Sequence, residues 1–151
     1  MNRQRAVVAL AATAAALLLA THATALSPQE AARARLHYLQ HCMGCHLADG
    51  RGAPEQGVPS MRGLAGRLLT LPGGREYLVQ VPGVMNSGLS DADTARLMNW
   101  LLPQVSAETL PPGTLPYDAA EIARLRRHRP LDMIATRQAL IELLETQSPA
   151  R

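Results

Sequence analysis

The chain has 151 residues, a formal charge of +3, two cysteines, one tryptophan, three tyrosines and no phenylalanine. Two cysteines are too few for a disulfide scaffold or a four-cysteine zinc site, and so small a positive surplus is no nucleic-acid footprint. The length suits one small domain with an appendage.

Arg3 and Arg5 precede an uncharged Ala/Leu/Val run over residues 6–20, and Ala23-Thr24-Ala25 has the small-x-small pattern of a signal-peptidase site. Residues 1–25 are therefore expected to be a secretory signal peptide, cut after Ala25. The apolar run is shorter than the ~20 residues of a membrane span, and no other stretch is apolar for long enough, so no transmembrane span is expected in the mature chain. Left uncleaved, the run would be a membrane anchor. Loss of Arg3 and Arg5 leaves the charges nearly balanced, which removes nucleic acid from the expected partners. Every basic side chain other than histidine is arginine.

Ser27-Pro28 opens a helix, with serine as N-cap, proline at the first helical position and Glu30 in the first turn. Residues 29–41 read as a helix with Ala31, Ala34, Tyr38 and Cys42 along one side. It runs into Cys42-Met43-Gly44-Cys45-His46. Two thiols three positions apart can serve as a redox dithiol, half of a zinc site or a local disulfide. A thioredoxin-type dithiol needs a strand before it, and the preceding residues are helical. Zinc needs a second pair of ligands; His37 and His41 are the candidates to join His46, and no His-x-x-x-His spacing lies downstream.

The run resembles the Cys-x-x-Cys-His haem-attachment motif of c-type cytochromes. In that arrangement Cys42 and Cys45 form thioethers with the two haem vinyl groups and His46 is an axial iron ligand. A covalent haem would also offset the poor supply of large core side chains. Glycines and Asp49 make 47–52 a loop, which resembles the glycine-rich loop following the motif in class I cytochromes c. In that family a loop proline carbonyl accepts the proton of the axial histidine's other nitrogen. Pro59 is the best match, with Pro54 as substitute and a merely loop-stiffening proline as the plain alternative.

Met61 is expected to pack on haem rather than ligate it. Arg62, Arg67 and Arg75 are candidates for propionate contacts, against solvated arginines as the plainer outcome. Short helices are expected within 60–70 and over 75–81, the second stopped by Pro82-Gly83. The stretch 82–93 resembles the distal side of class I cytochromes, where a loop methionine precedes a Leu-Ser-Asp helix start. Met85 is the leading distal ligand, with Met61, Met98 and His128 as competitors. Ser90 caps a helix over 91–102 with Asp93 at its third position; Leu97, Trp100 and Leu101 face inwards, and Pro103 ends it.

The resemblance covers a cytochrome c domain over 26–102. Residues 103–117, with Pro103, Pro111, Pro112 and Pro116, read as a proline-rich strap. Residues 118–151 form a helical extension. Asp118 caps its first helix, with Ile122 and Leu125 on one face. A second helix over 131–146 carries Met133, Ile134, Ala135, Leu140, Ile141 and Leu144. The extension is expected to be a helical hairpin folded back on the core; the alternative is a docking element for a redox partner.

The expected fold is all-α: a small cytochrome c-like helical domain around one covalent haem c, plus this extension. The resemblance implies a monomeric periplasmic one-electron carrier rather than an enzyme. Its donors would be periplasmic dehydrogenases, including quinoprotein amine or alcohol dehydrogenases. Its acceptors would be other cytochromes or a terminal oxidase. Two other functions stay open: a five-coordinate haem enzyme or gas or peroxide sensor, and a haem subunit of a dehydrogenase complex.

Overall fold

The computed structural model describes residues 26–147; the signal-peptide expectation for residues 1–25 lies outside the described residues, as do residues 148–151. Helix α1, Pro28–His41, begins with the capping predicted for it and more. The Ser27 hydroxyl accepts from the Glu30 N–H, and the Glu30 carboxylate accepts from the Ser27 N–H at 3.0 Å, a reciprocal capping box. The face that α1 buries is Ala34 and Tyr38.

That face lies along α6, Asp91–Ser106. The Ser90 hydroxyl accepts from the Asp93 N–H at 3.1 Å, as the sequence suggested. Leu97 and Leu101 point into the core with Met98. Trp100 is half-buried and meets Tyr38 in a tilted ring pair with centroids 5.8 Å apart. Two helices far apart in sequence thus brace one another through small and aromatic side chains.

Pro103 does not end α6, which continues to Ser106. A mid-helix proline ordinarily costs ~3 kcal/mol or more. Here the turn beyond it is tied down from outside. Val105 and Ser106 are buried, the Gly63 N–H donates to the Val105 carbonyl at 2.9 Å, and the Ser106 hydroxyl donates to the Met61 carbonyl at 3.2 Å. The core helix therefore extends into what reads in sequence as strap.

Between α1 and α6 run four short helices: α2, Met43–His46; α3, Leu64–Leu68; α4, Gly74–Gln80; and α5, Pro82–Met85. The Pro82-Gly83 pair does stop α4, but Pro82 also starts α5, because its preset φ suits a first helical position.

The extension folds back on the core. In α7, Ala119–Arg126, the Asp118 carboxylate caps the Glu121 N–H at 2.8 Å, and Ile122 and Leu125 enter the same cluster as Leu97, Leu101 and Val79. In α8, Met133–Gln147, Leu140 and Leu144 pack with Leu68, Leu71 and Tyr77 in a second cluster. Each extension helix therefore finds its own site on the core. Ile134 and Ala135, expected in the apolar stripe of α8, are exposed; the helix starts after Asp132, whose carboxylate caps the Ile134 and Ala135 N–H groups at 2.9 Å.

The strap is anchored at its end. Tyr117 is buried, its N–H and carbonyl are both bonded to the Asn99 side chain, and its hydroxyl donates to the Arg75 carbonyl at 2.9 Å. The architecture is all-α and cytochrome c-like, as expected. Among the described residues, the only β pairing is the isolated bridge between Ala53 and Val58, and no helix is long and apolar enough to cross a membrane.

Candidate haem-attachment site

The motif occupies one helical turn. Cys42 closes α1, its N–H donating to the Tyr38 carbonyl at 2.9 Å, and its own carbonyl then accepts from Cys45 at 3.2 Å and His46 at 2.9 Å. Positions i, i+3 and i+4 of a helix share a face, so Cys42, Cys45 and His46 are presented together while Met43 and Gly44 are turned aside.

Both thiols are free; Cys42 is half-buried and Cys45 exposed. Burial, seconded by the neighbouring Cys45, pushes the Cys42 thiol above its ordinary range. A nucleophilic redox dithiol needs the opposite shift. Among the described residues no group of three His, Cys, Asp or Glu side chains could hold a metal ion, so the zinc alternative lacks its second pair of ligands there.

The backbone leaves α2 sharply. Leu47 has φ 61° and ψ 175°, and among the described residues it is the only non-glycine with positive φ. Such a conformation costs about 1–3 kcal/mol and persists only where the surroundings impose it. The Tyr38 hydroxyl imposes it here by donating to the Leu47 carbonyl. α1 thus both delivers the motif and pins the residue after His46.

The loop then returns towards the histidine. Gly52, at φ +66°, donates its N–H to the His46 carbonyl at 3.1 Å. A Cβ at this position would stand 2.6 Å from the Pro59 and Val58 carbonyl oxygens, so only glycine lets that segment come so close. Reciprocal Ala53–Val58 bonds of 2.9 and 3.1 Å close the intervening loop and set up Pro59. An open cleft of about 610 Å³ lies alongside, lined by Cys45, Leu47, Gly52, Ala53 and Val58.

Burial lowers the His46 pKa, favouring the neutral imidazole that can ligate a metal, while the Pro59 carbonyl acts in the opposite direction. His46 Nδ1 is buried with no hydrogen bond formed. Buried ring nitrogens rarely stay unpaired, and Pro59 supplies the acceptor acting on this ring. These groups fit a haem-ligating histidine, whose buried Nδ1 lies on a ring that the Pro59 carbonyl acts on and whose Nε2 is left for iron.

On the distal side, Met85 ends α5 instead of lying in an irregular loop; its N–H donates to the Val81 carbonyl at 3.0 Å and its side chain is half-buried. The flanking Val84 and Leu89 pack on the main core. Met98 is buried within α6. Met61 packs against the core near Gly50, and its N–H donates to the Gly50 carbonyl at 2.8 Å. His128 is exposed, with Nδ1 3.1 Å from the Arg124 carbonyl.

Two arginines considered for propionate contacts have protein partners. Arg62 pairs with Asp49 at 3.3 Å. Arg75 makes two 2.7 Å contacts with Glu121, bonds the Leu115 and Pro116 carbonyls, and lies 3.8 Å over the Tyr117 ring. Arg75 therefore holds the extension. Sequence pattern missed this role, because a lone arginine on a short helix carries no signal of a partner in a distant strap.

The chain is similar to cytochrome c-552 of Thermus thermophilus, with 29% identity over 119 residues that cover 66% of this chain and 90% of that protein. It has the same 29% identity over 119 residues to a second cytochrome c-552 from that species, covering 80% of that protein. No family model and no solved structure matches. This likeness supports a c-type cytochrome.

Proposed function

We propose that this chain is an exported, periplasmic one-electron carrier of the class I cytochrome type, holding one covalent haem c. The observation that carries the reading is the single turn that presents Cys42, Cys45 and His46 on one face, with a buried, unpaired Nδ1 behind the His46 ring. The cytochrome c-552 likeness points the same way.

Each residue has a role in that reading. Cys42 and Cys45 would hold the haem, each through a thioether bond to one of its two vinyl groups. His46 would ligate through Nε2, with the Pro59 carbonyl accepting a hydrogen bond from its Nδ1 N–H, which would fix the ring and raise its basicity. Met85 would be the second protein ligand; thioether sulfur is soft and favours the reduced state, which would raise the potential relative to two histidines. The bound haem supplies an iron that accepts and returns one electron. Donors would be periplasmic dehydrogenases and acceptors other cytochromes or a terminal oxidase, with the protein acting as a monomer.

The test is the mass and spectrum of the exported protein. The expected mass is that of residues 26–151 plus one haem. The expected ferric spectrum is low-spin, with the weak far-red band of thioether–iron ligation. A high-spin ferric spectrum would overturn the carrier reading in favour of a five-coordinate enzyme or sensor.

A further inference from the structure

The segment that carries Met85 is held from one side by α7, a helix of the C-terminal extension. Arg126, in the last turn of α7, reaches across it. One terminal guanidinium nitrogen donates to the Leu89 carbonyl at 2.9 Å and to the Asp91 carboxylate at 2.7 Å. The other donates to the Thr94 hydroxyl at 2.7 Å and lies 3.5 Å from the Val84 carbonyl. Val84 adjoins Met85, and Leu89 and Asp91 bracket the turn into α6. The arginine is partly buried, with a side-chain exposure of 20%.

The contact is matched at the other end of the segment. Gln80, the last residue of α4, is buried, and its side-chain amide donates to the Leu125 carbonyl at 3.1 Å and the His128 carbonyl at 2.9 Å. These bonds add to the capping at the C-terminal end of α7, where the Leu125 carbonyl also accepts from the His128 N–H at 3.2 Å. So α7 is capped by the residue that precedes the Met85 turn, and in return its arginine fastens the residues that follow it. Between these ties only local bonds hold the chain: Met85 and Asn86 to the first turn of α5, and the Ser87 hydroxyl to the Val84 carbonyl at 2.9 Å. Gly88, at φ +72°, adds no side chain to pack.

We propose that Arg126 is a positioning residue for the distal ligand: the C-terminal extension serves as a clamp that keeps the Met85 segment closed and so excludes foreign ligands from the iron. The idea rests on Met85 being the distal ligand. The guanidinium suits this task because its planar fork spreads its donors over two terminal nitrogens that reach partners on both sides; an ammonium carries its three donors on one nitrogen and cannot reproduce that spread. Hydrogen bonds from a charged donor are among the stronger ones. Their loss acts on the local opening of the segment more than on the whole fold, which the α1–α6 pair supports separately.

The experiment uses the full-length haem protein and the variants R126A and R126K, with R124A as control. Arg124 loses the same charge from the same helix but is exposed and only 4.0 Å from Glu121. Two quantities are read: imidazole affinity at the iron, followed by loss of the far-red band, and amide hydrogen exchange over residues 84–91. For R126A the expectation is ~10-fold tighter apparent imidazole binding, ~1.4 kcal/mol, with similarly faster exchange confined to 84–91. R126K recovers part of both, and R124A matches the parent.

Unchanged imidazole affinity and exchange in R126A overturn the clamp, as does exchange that rises equally across α1 and α6. If the parent lacks the far-red band, the Met85 assignment fails, while faster exchange over 84–91 in R126A still supports the clamp on the segment and unchanged exchange still removes it. Should R126A not fold, R126K decides by the same two readings.

Discussion

The two sides of the candidate haem site are built in opposite ways. The Cys42–His46 face is local: five consecutive residues, one helical turn and backbone bonds that span three or four positions. Only Tyr38 and the Gly52–Pro59 loop, both close in sequence, finish it. The Met85 side is assembled from afar. Arg126 bonds a carbonyl 37 residues away, and Gln80 bonds one 45 residues away. A local site can be copied as a motif, whereas a distal site made of long-range ties depends on the whole extension docking correctly.

Four variants test this contrast. The largest effect is expected from changing Cys42 and Cys45 together to alanine, which removes both thioether bonds. Denaturing gels stained for haem should show none retained, and a haem that stays with the denatured chain would break the local half of the comparison. Next is Met85→Ala. The attachment should survive while the far-red band vanishes and the reduction potential falls, as measured by redox titration of the visible spectrum. A potential equal to the parent's would move the distal ligand elsewhere.

A smaller effect is expected for Gly52→Ala. The new Cβ meets the Pro59 carbonyl at 2.6 Å with φ at +66°, and the strained conformation alone costs about 1–3 kcal/mol. Denaturant unfolding should register this loss, together with a changed environment of the His46 ring by nuclear magnetic resonance. A neutral result would show that the loop does not hold Pro59 against the histidine.

The smallest effect concerns Asp93 at the start of α6. The Ser90 hydroxyl foremost, then Arg33, His37 and Arg96, hold its carboxyl below the usual range against the opposing effect of burial. The Arg33 contact, at 3.1 Å, ties α6 to α1. Its contribution should be complete above the ordinary carboxylate range and be lost as pH falls through the lowered pKa. Thermal midpoints measured against pH should therefore show a shallower acid limb for Asp93→Asn than for the parent. Parallel limbs would remove this tie from the α1–α6 brace.

Much of the fold was legible in one dimension. The Ser27 cap of α1, the Ser90 cap, the inward Leu97 and Leu101 and the Asp118 cap all follow from side chains acting on residues near them or from helical periodicity. The passage of α6 through Pro103 was not legible, because it depends on Met61 and Gly63 arriving from another part of the chain. Nor was the partial exposure of the α8 stripe: periodicity marks an apolar face but not how much of it finds a partner.

The sequence by itself determined that α1 leads into Cys42-Met43-Gly44-Cys45-His46 and that the two thiols lie three positions apart beside the histidine. Helix geometry alone brings positions three and four apart to one face. Only the tertiary structure decided what Arg75, Gln80 and Arg126 do. A charged or amide side chain has many possible partners within reach of a flexible chain, and packing of Ile122 and Leu125 into the core selects among them. That packing sets Arg126 over the Met85 segment, where neither residue's local sequence could have placed it.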